Sequence, residues 1–112
     1  MANVKFHKKD LSVMKQTFHI MKKQRFNRVS PMQFRRFLRV MKIHKEDRDL
    51  QADGLEICEG ILTRHTKANV LFEYGSRYLR IVFMAMQRFT KDNRIWASGM
   101  EILNISRPLS PA

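Results

Sequence analysis

SPMQFRRFLRVMK, residues 30–42, carries the clearest pattern in the chain. Ser30 is a favoured residue for capping the start of a helix, and Pro31 suits the first helical position because its missing N–H would have no intrahelical partner there. Gln33 follows Ser30 by three residues, which completes a capping-box pattern. The spacing therefore predicts a helix that begins at Pro31 and ends near His44.

This predicted helix divides into an apolar face and a basic face. Apolar side chains that recur three and four residues apart share one side of a helix, which is the side that packs on a core. The apolar stripe consists of Phe34, Phe37, Leu38 and Met41. The basic stripe consists of Arg35, Arg39 and Lys42, with Arg36 beside it.

An earlier helix with the same division is predicted from Asp10, a plausible cap, to about Asn27. Its apolar positions recur at spacings of three and four, and they are Leu11, Met14, Phe18 and Met21. Lys15, His19 and Lys22 share a different face, with Lys23 at its margin. Because the connection to the second helix is short, the two helices are predicted to pack as an αα-hairpin.

The charge of the chain is strongly positive and uneven. The net charge is +12, and residues 1–50 hold 14 Lys/Arg against 4 Asp/Glu. A basic half of this size attracts polyanions, with nucleic acid as the first candidate, an anionic membrane as the second and an acidic protein as the third. We expect phosphate contacts from Lys15, Lys22, Lys23, Arg35, Arg36, Arg39 and Lys42.

Length and composition fit one domain over residues 1–106, followed by a flexible tail at 107–112 that contains Pro108 and Pro111. Cys58 is alone, so an internal disulfide is impossible, and the N-terminus lacks the apolar stretch of a secretory signal. The apolar run 81–86 is too short to span a bilayer. We expect a cytoplasmic protein without a membrane partner.

The C-terminal half predicts antiparallel strands. Gly75-Ser76 suits a type II′ turn between strands at 70–74 and 77–89, and Asp92-Asn93 suits a second turn before a strand at 94–105. Residues 55–65 fit either a strand or a helix, and Gly60 favours the strand. Asp53-Gly54 indicates a turn before them.

The two hairpin registers agree on one face, which is predicted to be covered by the helices: Val70, Phe72, Leu79, Ile81, Phe83, Ala85, Met100 and Ile102. The other face carries Tyr78, a candidate exposed ring, together with Val82 and Met86. It is too apolar for full solvation, so we expect it to be covered by residues 55–65, by a protein partner or homodimer contact, or by a ligand. The predicted fold is α+β: a basic N-terminal helical hairpin packed on a three- or four-stranded antiparallel sheet.

Motifs for catalysis and metal binding are missing from the sequence. The four histidines, His7, His19, His44 and His65, lack partners at metal-ligand spacing, and no phosphate-binding glycine loop or nucleophile motif is present. No metal or other cofactor is expected. The predicted function is a small, non-enzymatic nucleic-acid-binding regulator, for DNA or RNA, of a size and charge that would suit a phage or mobile element. An alternative is a protein-binding inhibitor or adaptor that acts on a nucleoprotein machine.

The segment GSRYLRIVF, residues 75–83, resembles the central hairpin of RelE-type and HigB-type ribosome-dependent mRNA endonuclease toxins. Those small basic toxins also place helices before an antiparallel sheet. The resemblance implies a second alternative, a small ribonuclease. Its working residues would be His65, Arg77 and Arg80.

Overall fold

The structure is a computed structural model that describes residues 10–24, 29–64 and 74–106, and every described element of secondary structure is a helix. The helices are α1 (Leu11–Lys23), α2 (Pro31–Ile43), α3 (Arg48–Thr63), α4 (Arg77–Arg88) and α5 (Asn93–Ser106). No strand occurs in these three segments, so the α+β prediction is wrong and the described fold is all-α.

The first two helices are confirmed, and α2 keeps its predicted bounds to within a residue, whereas α1 ends at Lys23, before the predicted end near Asn27. Asp10 caps α1, since the Val13 amide donates to its carboxylate at 3.0 Å, and Ser30 caps α2, since the Gln33 amide donates to its hydroxyl at 3.1 Å. The reciprocal half of the capping box is not formed, because Gln33 Oε1 is buried without a hydrogen-bond partner. Of the two predicted apolar stripes all members are buried except Leu11, which is partly exposed.

α1 and α2 do not pack against each other as the predicted αα-hairpin, because α1 packs mainly against α3. The most extensive backbone contacts of α1 are with α3, and α3 in turn packs against α5. α1 reaches α2 through its Phe18 ring, which stacks on Phe37 with 5.0 Å between ring centroids. The buried apolar side chains of the described helices form one cluster that includes both rings.

α3 is the central helix, and it occupies the segment where a turn at Asp53-Gly54 and a strand at 55–65 were predicted. Both predictions are wrong over the described residues. A Cβ atom built on Gly54 would lie 2.8 Å from Met41 Sδ, so the missing side chain lets α2 approach α3 closely. Gln51 fixes the turn between these helices, because its Nε2 donates to the carbonyls of Met41 and His44 at 2.9 and 3.0 Å.

The predicted hairpins at 77–89 and 94–105 are likewise wrong, because both segments are helical. Gly75 has a φ of 71° and lies immediately before Ser76, the residue that precedes α4. Asp92 starts α5, since its carboxylate accepts from the Ile95 amide at 3.0 Å. The resemblance to the toxin hairpin is lost with the strands that carried it.

A helix buries different residues from a strand, and the predicted sheet faces change accordingly. Ile81, Ala85 and Ile102 are buried as predicted, but Phe83 and Met100 are 48% and 54% exposed.

The predicted second sheet face does not exist. Tyr78, taken as the candidate exposed ring of that face, is fully buried, and Val82 and Met86 are buried beside it in the core. The expected partner or dimer contact through that face therefore loses its basis. Other predictions, for Val70, Phe72, His7, His65 and the tail at 107–112, fall outside the described residues.

Candidate functional site

The exposed face of α2 is strongly basic. Burial of its apolar stripe in the core leaves four cations in solvent, and none of them has an ion-pair partner among the described residues. They are Arg35, Arg36, Arg39 and Lys42. Arg35, Arg39 and Lys42 follow one another at intervals of four and three, so they form a row along one side of the helix. Lys42 also lies in the last turn, where the helix dipole favours a positive charge.

α4 adds cations next to this row. Arg77 and Arg80 are exposed and lack an ion-pair partner within the part of the chain that the structure describes, whereas Arg88 lies 3.9 Å from Glu46. The sequence prediction placed these residues on a strand and left them out of the main binding surface. The usable signal was the basic character of the segment, because residues 77–88 contain three arginines and no acidic residue.

α2 and α4 run side by side in the same direction. Arg35 near the start of α2 and Arg77 at the start of α4 line one cavity, while Glu46, just beyond α2, meets Arg88 at the end of α4. Because the two helices are adjacent, we group their exposed cations that have no ion-pair partner among the described residues as one basic face. We call it the α2–α4 basic face, and it consists of Arg35, Arg36, Arg39, Lys42, Arg77 and Arg80.

A cavity of about 440 Å³ opens on this face between α2 and the start of α4. Its described lining has an apolar part and a polar part, and it includes two arginines but no acidic residue and no histidine. The lining residues are Pro31, Phe34, Arg35, Leu38, Tyr74, Gly75, Ser76 and Arg77. The Tyr74 hydroxyl donates to the Val29 carbonyl at 2.7 Å, which holds the segment before α4 against the segment before α2.

The structure gives the predicted contact residues of α1 a different environment. Lys22 Nζ lies 3.0 Å from Asp53 Oδ1 and 3.8 Å from Glu56 Oε2. Lys15 Nζ lies 3.4 Å from Asp47 Oδ2 and 3.6 Å from Asp49 Oδ2.

Lys23 remains exposed at the end of α1. Of the seven residues named from the sequence, the structure brings the four on α2 together. It directs Lys15 and Lys22 toward carboxylates on and before α3.

The carboxylates on and before α3 therefore pair with cations of α1 and α5, whereas the α2–α4 basic face has no ion pair among the described residues. Asp53 and Glu56 on α3 accept from Arg94 as well as facing Lys22, with Arg94 Nη2 at 2.9 Å from both Asp53 Oδ1 and Glu56 Oε1. Arg48 pairs with Asp49 and Asp92. By contrast, α2 and α4 contain no acidic residue at all.

Groups that could perform covalent chemistry are poorly placed in the described segments. Cys58 is buried, and burial raises the pKa of its thiol far above the usual value. No group of three His, Cys, Asp or Glu residues within residues 10–24, 29–64 and 74–106 could hold a metal ion. Over the same segments, no helix has both the length and the apolar character that are needed to cross a membrane.

Comparisons with protein-family models, with curated proteins and with solved structures find no match to this chain. The inference of function therefore depends on the residues of the α2–α4 basic face and the cavity within it.

Proposed function

We propose that this protein binds nucleic acid without chemical turnover and that the α2–α4 basic face is the contact surface. The observation that carries the proposal is the segregation of charge. Six exposed cations, with no ion-pair partner in the described segments, lie on two adjacent helices that contain no acidic residue. A phosphate backbone is the polyanion that such a row of separated cations fits.

The physical basis of binding is the release of counterions from the nucleic acid. Each phosphate neutralised by a Lys or Arg lowers the slope of log K against log salt by about 0.9 for duplex DNA and about 0.7 for a single strand. Six contacts would give a slope of about −5 on a duplex and about −4 on a single strand. Affinity should therefore fall steeply between about 50 and 200 mM salt.

Among the described residues, Lys15 and Lys22 on α1 are ion-paired, whereas the cations of the α2–α4 basic face are not. This difference favours the α2–α4 basic face over a binding surface shared by α1 and α2. A cation that already faces two carboxylates, as Lys22 does, gains little from a phosphate because it must first give up those partners. Arg39 has no such partner among the described residues. The exposed apolar side chains of Met32 and Ile43 on α2 could lie against sugar or base edges between the phosphate contacts.

The test is a salt titration of fluorescence anisotropy with labelled duplex DNA, duplex RNA and single-stranded RNA. Arg39→Gln and Arg80→Gln should each weaken binding and reduce the magnitude of the salt slope by about one. The matched control is Lys91→Gln, which removes one exposed charge from the turn between α4 and α5, away from this face. Its slope should equal that of the unmodified protein.

Two outcomes would overturn the proposal. One is the absence of binding to all three probes at low salt. The other is a salt slope that neither Arg39→Gln nor Arg80→Gln changes, because the cations in contact would then lie elsewhere.

A further inference from the structure

The cavity between α2 and α4 differs from the rest of the basic face. Elsewhere the cations stand on a convex helix surface, which suits the internal phosphates of a strand that continues in both directions. At the cavity, Arg35 and Arg77, which belong to two different helices, both line one recess of about 440 Å³. A recess of this size lies within the range of ordinary small-ligand sites.

The charge of the recess matches a dianion. Its described lining includes two arginines and no acidic residue, so the described lining residues carry two positive charges and no counter-charge. An internal phosphodiester carries one negative charge, whereas a phosphate monoester carries between one and a half and two at neutral pH, with three acceptor oxygens. Guanidinium groups bind such oxygens with two parallel hydrogen bonds.

The polypeptide adds further donors at the same place. The Ser76 side chain makes no capping hydrogen bond to α4, so its hydroxyl does not occupy the amides of the first turn. Ser76 and Arg77 both line the recess. These donors supplement the two arginines, whose shared position in the lining of one recess is the main feature of the site.

We propose that this cavity binds a terminal phosphate monoester, the dianion at the end of a nucleic acid strand. The proposal rests on the proposed function, since the rest of the strand would lie along the α2–α4 basic face. Arg35 and Arg77 bind the terminal phosphate, and Arg39, Lys42 and Arg80 hold the phosphates that follow. The protein then prefers phosphorylated strand ends to hydroxyl ends.

The experiment compares three single-stranded oligonucleotides of one sequence, with a 5′-phosphate, with a 3′-phosphate, or with hydroxyl groups at both ends, at constant ionic strength. One of the phosphorylated probes should bind about tenfold more tightly than the hydroxyl probe, the effect of one or two added charge-assisted hydrogen bonds. Arg77→Lys should remove most of this difference. Because Lys keeps the charge but loses the bidentate hydrogen bonds, affinity for the hydroxyl probe should fall by a smaller factor than affinity for the phosphorylated probe.

Arg80→Gln is the matched control on the same helix, one turn away and outside the cavity lining. It should weaken all three probes by the same factor and leave the preference for a phosphorylated end unchanged. Loss of the preference in Arg80→Gln together with its retention in Arg77→Lys would overturn the assignment to the cavity.

The failures of the two proposals are distinguishable. Equal affinity for all three probes, with a steep salt slope, would overturn the terminal-phosphate site and leave nucleic-acid binding in place. Failure of every probe to bind would overturn nucleic-acid binding. Titration with inorganic phosphate alone, monitored through the amide NMR signals of Ser76 and Arg77, then tests whether the cavity binds phosphate. Saturable shifts of these signals support a phosphate site, and unchanged signals overturn it.

Discussion

Arg94 Nη2 lies 2.9 Å from Asp53 Oδ1, and this contact joins α5 to the central helix α3. Lys22 Nζ from α1 lies 3.0 Å from the same oxygen, so one largely buried carboxylate ties three helices together. Burial acts to raise the pKa of Asp53, but hydrogen bonds and charge from Lys22 and Arg94 outweigh it and hold the pKa below its usual value. Asp53 is therefore ionised and paired at neutral pH.

Asp53→Asn should destabilise the fold, because it removes the shared carboxylate and leaves Lys22 and Arg94 to compete for Glu56. The network is only partly buried, so we expect a loss of about 1–3 kcal/mol, below that of a fully buried pair. Urea denaturation at pH 7 measures it. Asp49→Asn, an exposed carboxylate on the same helix, should cost less than about 1 kcal/mol. A smaller effect at Asp53 than at Asp49 would contradict this role.

The lowered pKa of Asp53 also predicts how stability depends on pH. A carboxyl group whose pKa is lower in the folded state stabilises the protein above its unfolded pKa of about 3.9, and this contribution is lost as the pH falls through the folded value. Asp92, whose pKa Arg48 lowers, acts in the same direction. Free energies of unfolding measured downward from pH 5 should therefore decline less steeply in Asp53→Asn than in the unmodified protein. Parallel curves would show that Asp53 makes no contribution to the decline.

Lys22→Gln and Arg39→Gln should have opposite effects on stability and on binding. Lys22 is ion-paired to α3, so Lys22→Gln should lower stability by about 1 kcal/mol and leave nucleic-acid affinity nearly unchanged. Arg39 has like-charged neighbours and no ion-pair partner in the described chain, so Arg39→Gln should leave stability unchanged or raise it by a few tenths of a kcal/mol while weakening binding. Denaturation and anisotropy on the same two preparations check both halves. Similar changes in stability and affinity for the two variants would contradict the assignment of Lys22 to stability and of Arg39 to binding.

Three glycines lie inside helices, and alanine substitution should destabilise the protein at two of them and stabilise it at the third. At Gly54 and Gly99 a Cβ atom would lie 2.8 and 2.5 Å from the sulfur atoms of Met41 and Met86, both of which are buried. Alanine should therefore cost about 1–3 kcal/mol at either position through overpacking. At Gly60 nothing lies within 4 Å of the added Cβ, so Gly60→Ala should stabilise α3 by about 0.5–1 kcal/mol. Thermal denaturation monitored by circular dichroism measures all three.

Tyr78 and Ser106 are both buried and share a hydrogen bond of 2.7 Å between their hydroxyl oxygens, which links α4 to the end of α5. Tyr78→Phe keeps the ring in the core but leaves the Ser106 hydroxyl without this partner, so we expect a loss of about 1–2 kcal/mol. Ser106→Ala should cost a similar amount. The double variant should cost less than the sum of the two, because it removes both polar groups. Strict additivity in urea denaturation would show that the two hydroxyls do not interact.

The sequence by itself determined α1, α2 and the excess of positive charge. Asp10, Ser30 and Pro31 mark helix starts through local hydrogen bonding and fixed backbone geometry, and the apolar stripes after them have a single helical period. These signals act within a few residues, so they need no knowledge of the rest of the fold. The four exposed cations of α2 followed from the same local pattern.

The strand prediction for the C-terminal half was wrong because its apolar residues satisfy two periods at once. Ile81, Phe83 and Ala85 alternate as in a strand, while Tyr78, Ile81, Val82, Ala85 and Met86 fit a helix. Gly54 looks like part of a turn in the sequence, but in the structure it is a site where Met41 of a neighbouring helix packs. Only the position of that neighbouring helix distinguishes the two meanings.

Tertiary structure alone decided which cations are available for binding. Lys22 and Arg39 are equivalent in the sequence, each a cation on the polar side of an amphipathic helix. Folding places Lys22 against Asp53, 31 residues later in the chain, and leaves Arg39 in solvent. The cavity likewise is lined by Arg35 and Arg77, which are distant in sequence and share one recess only because α4 packs beside α2. Long-range pairing of this kind depends on the arrangement of helices around α3, which no local pattern specifies.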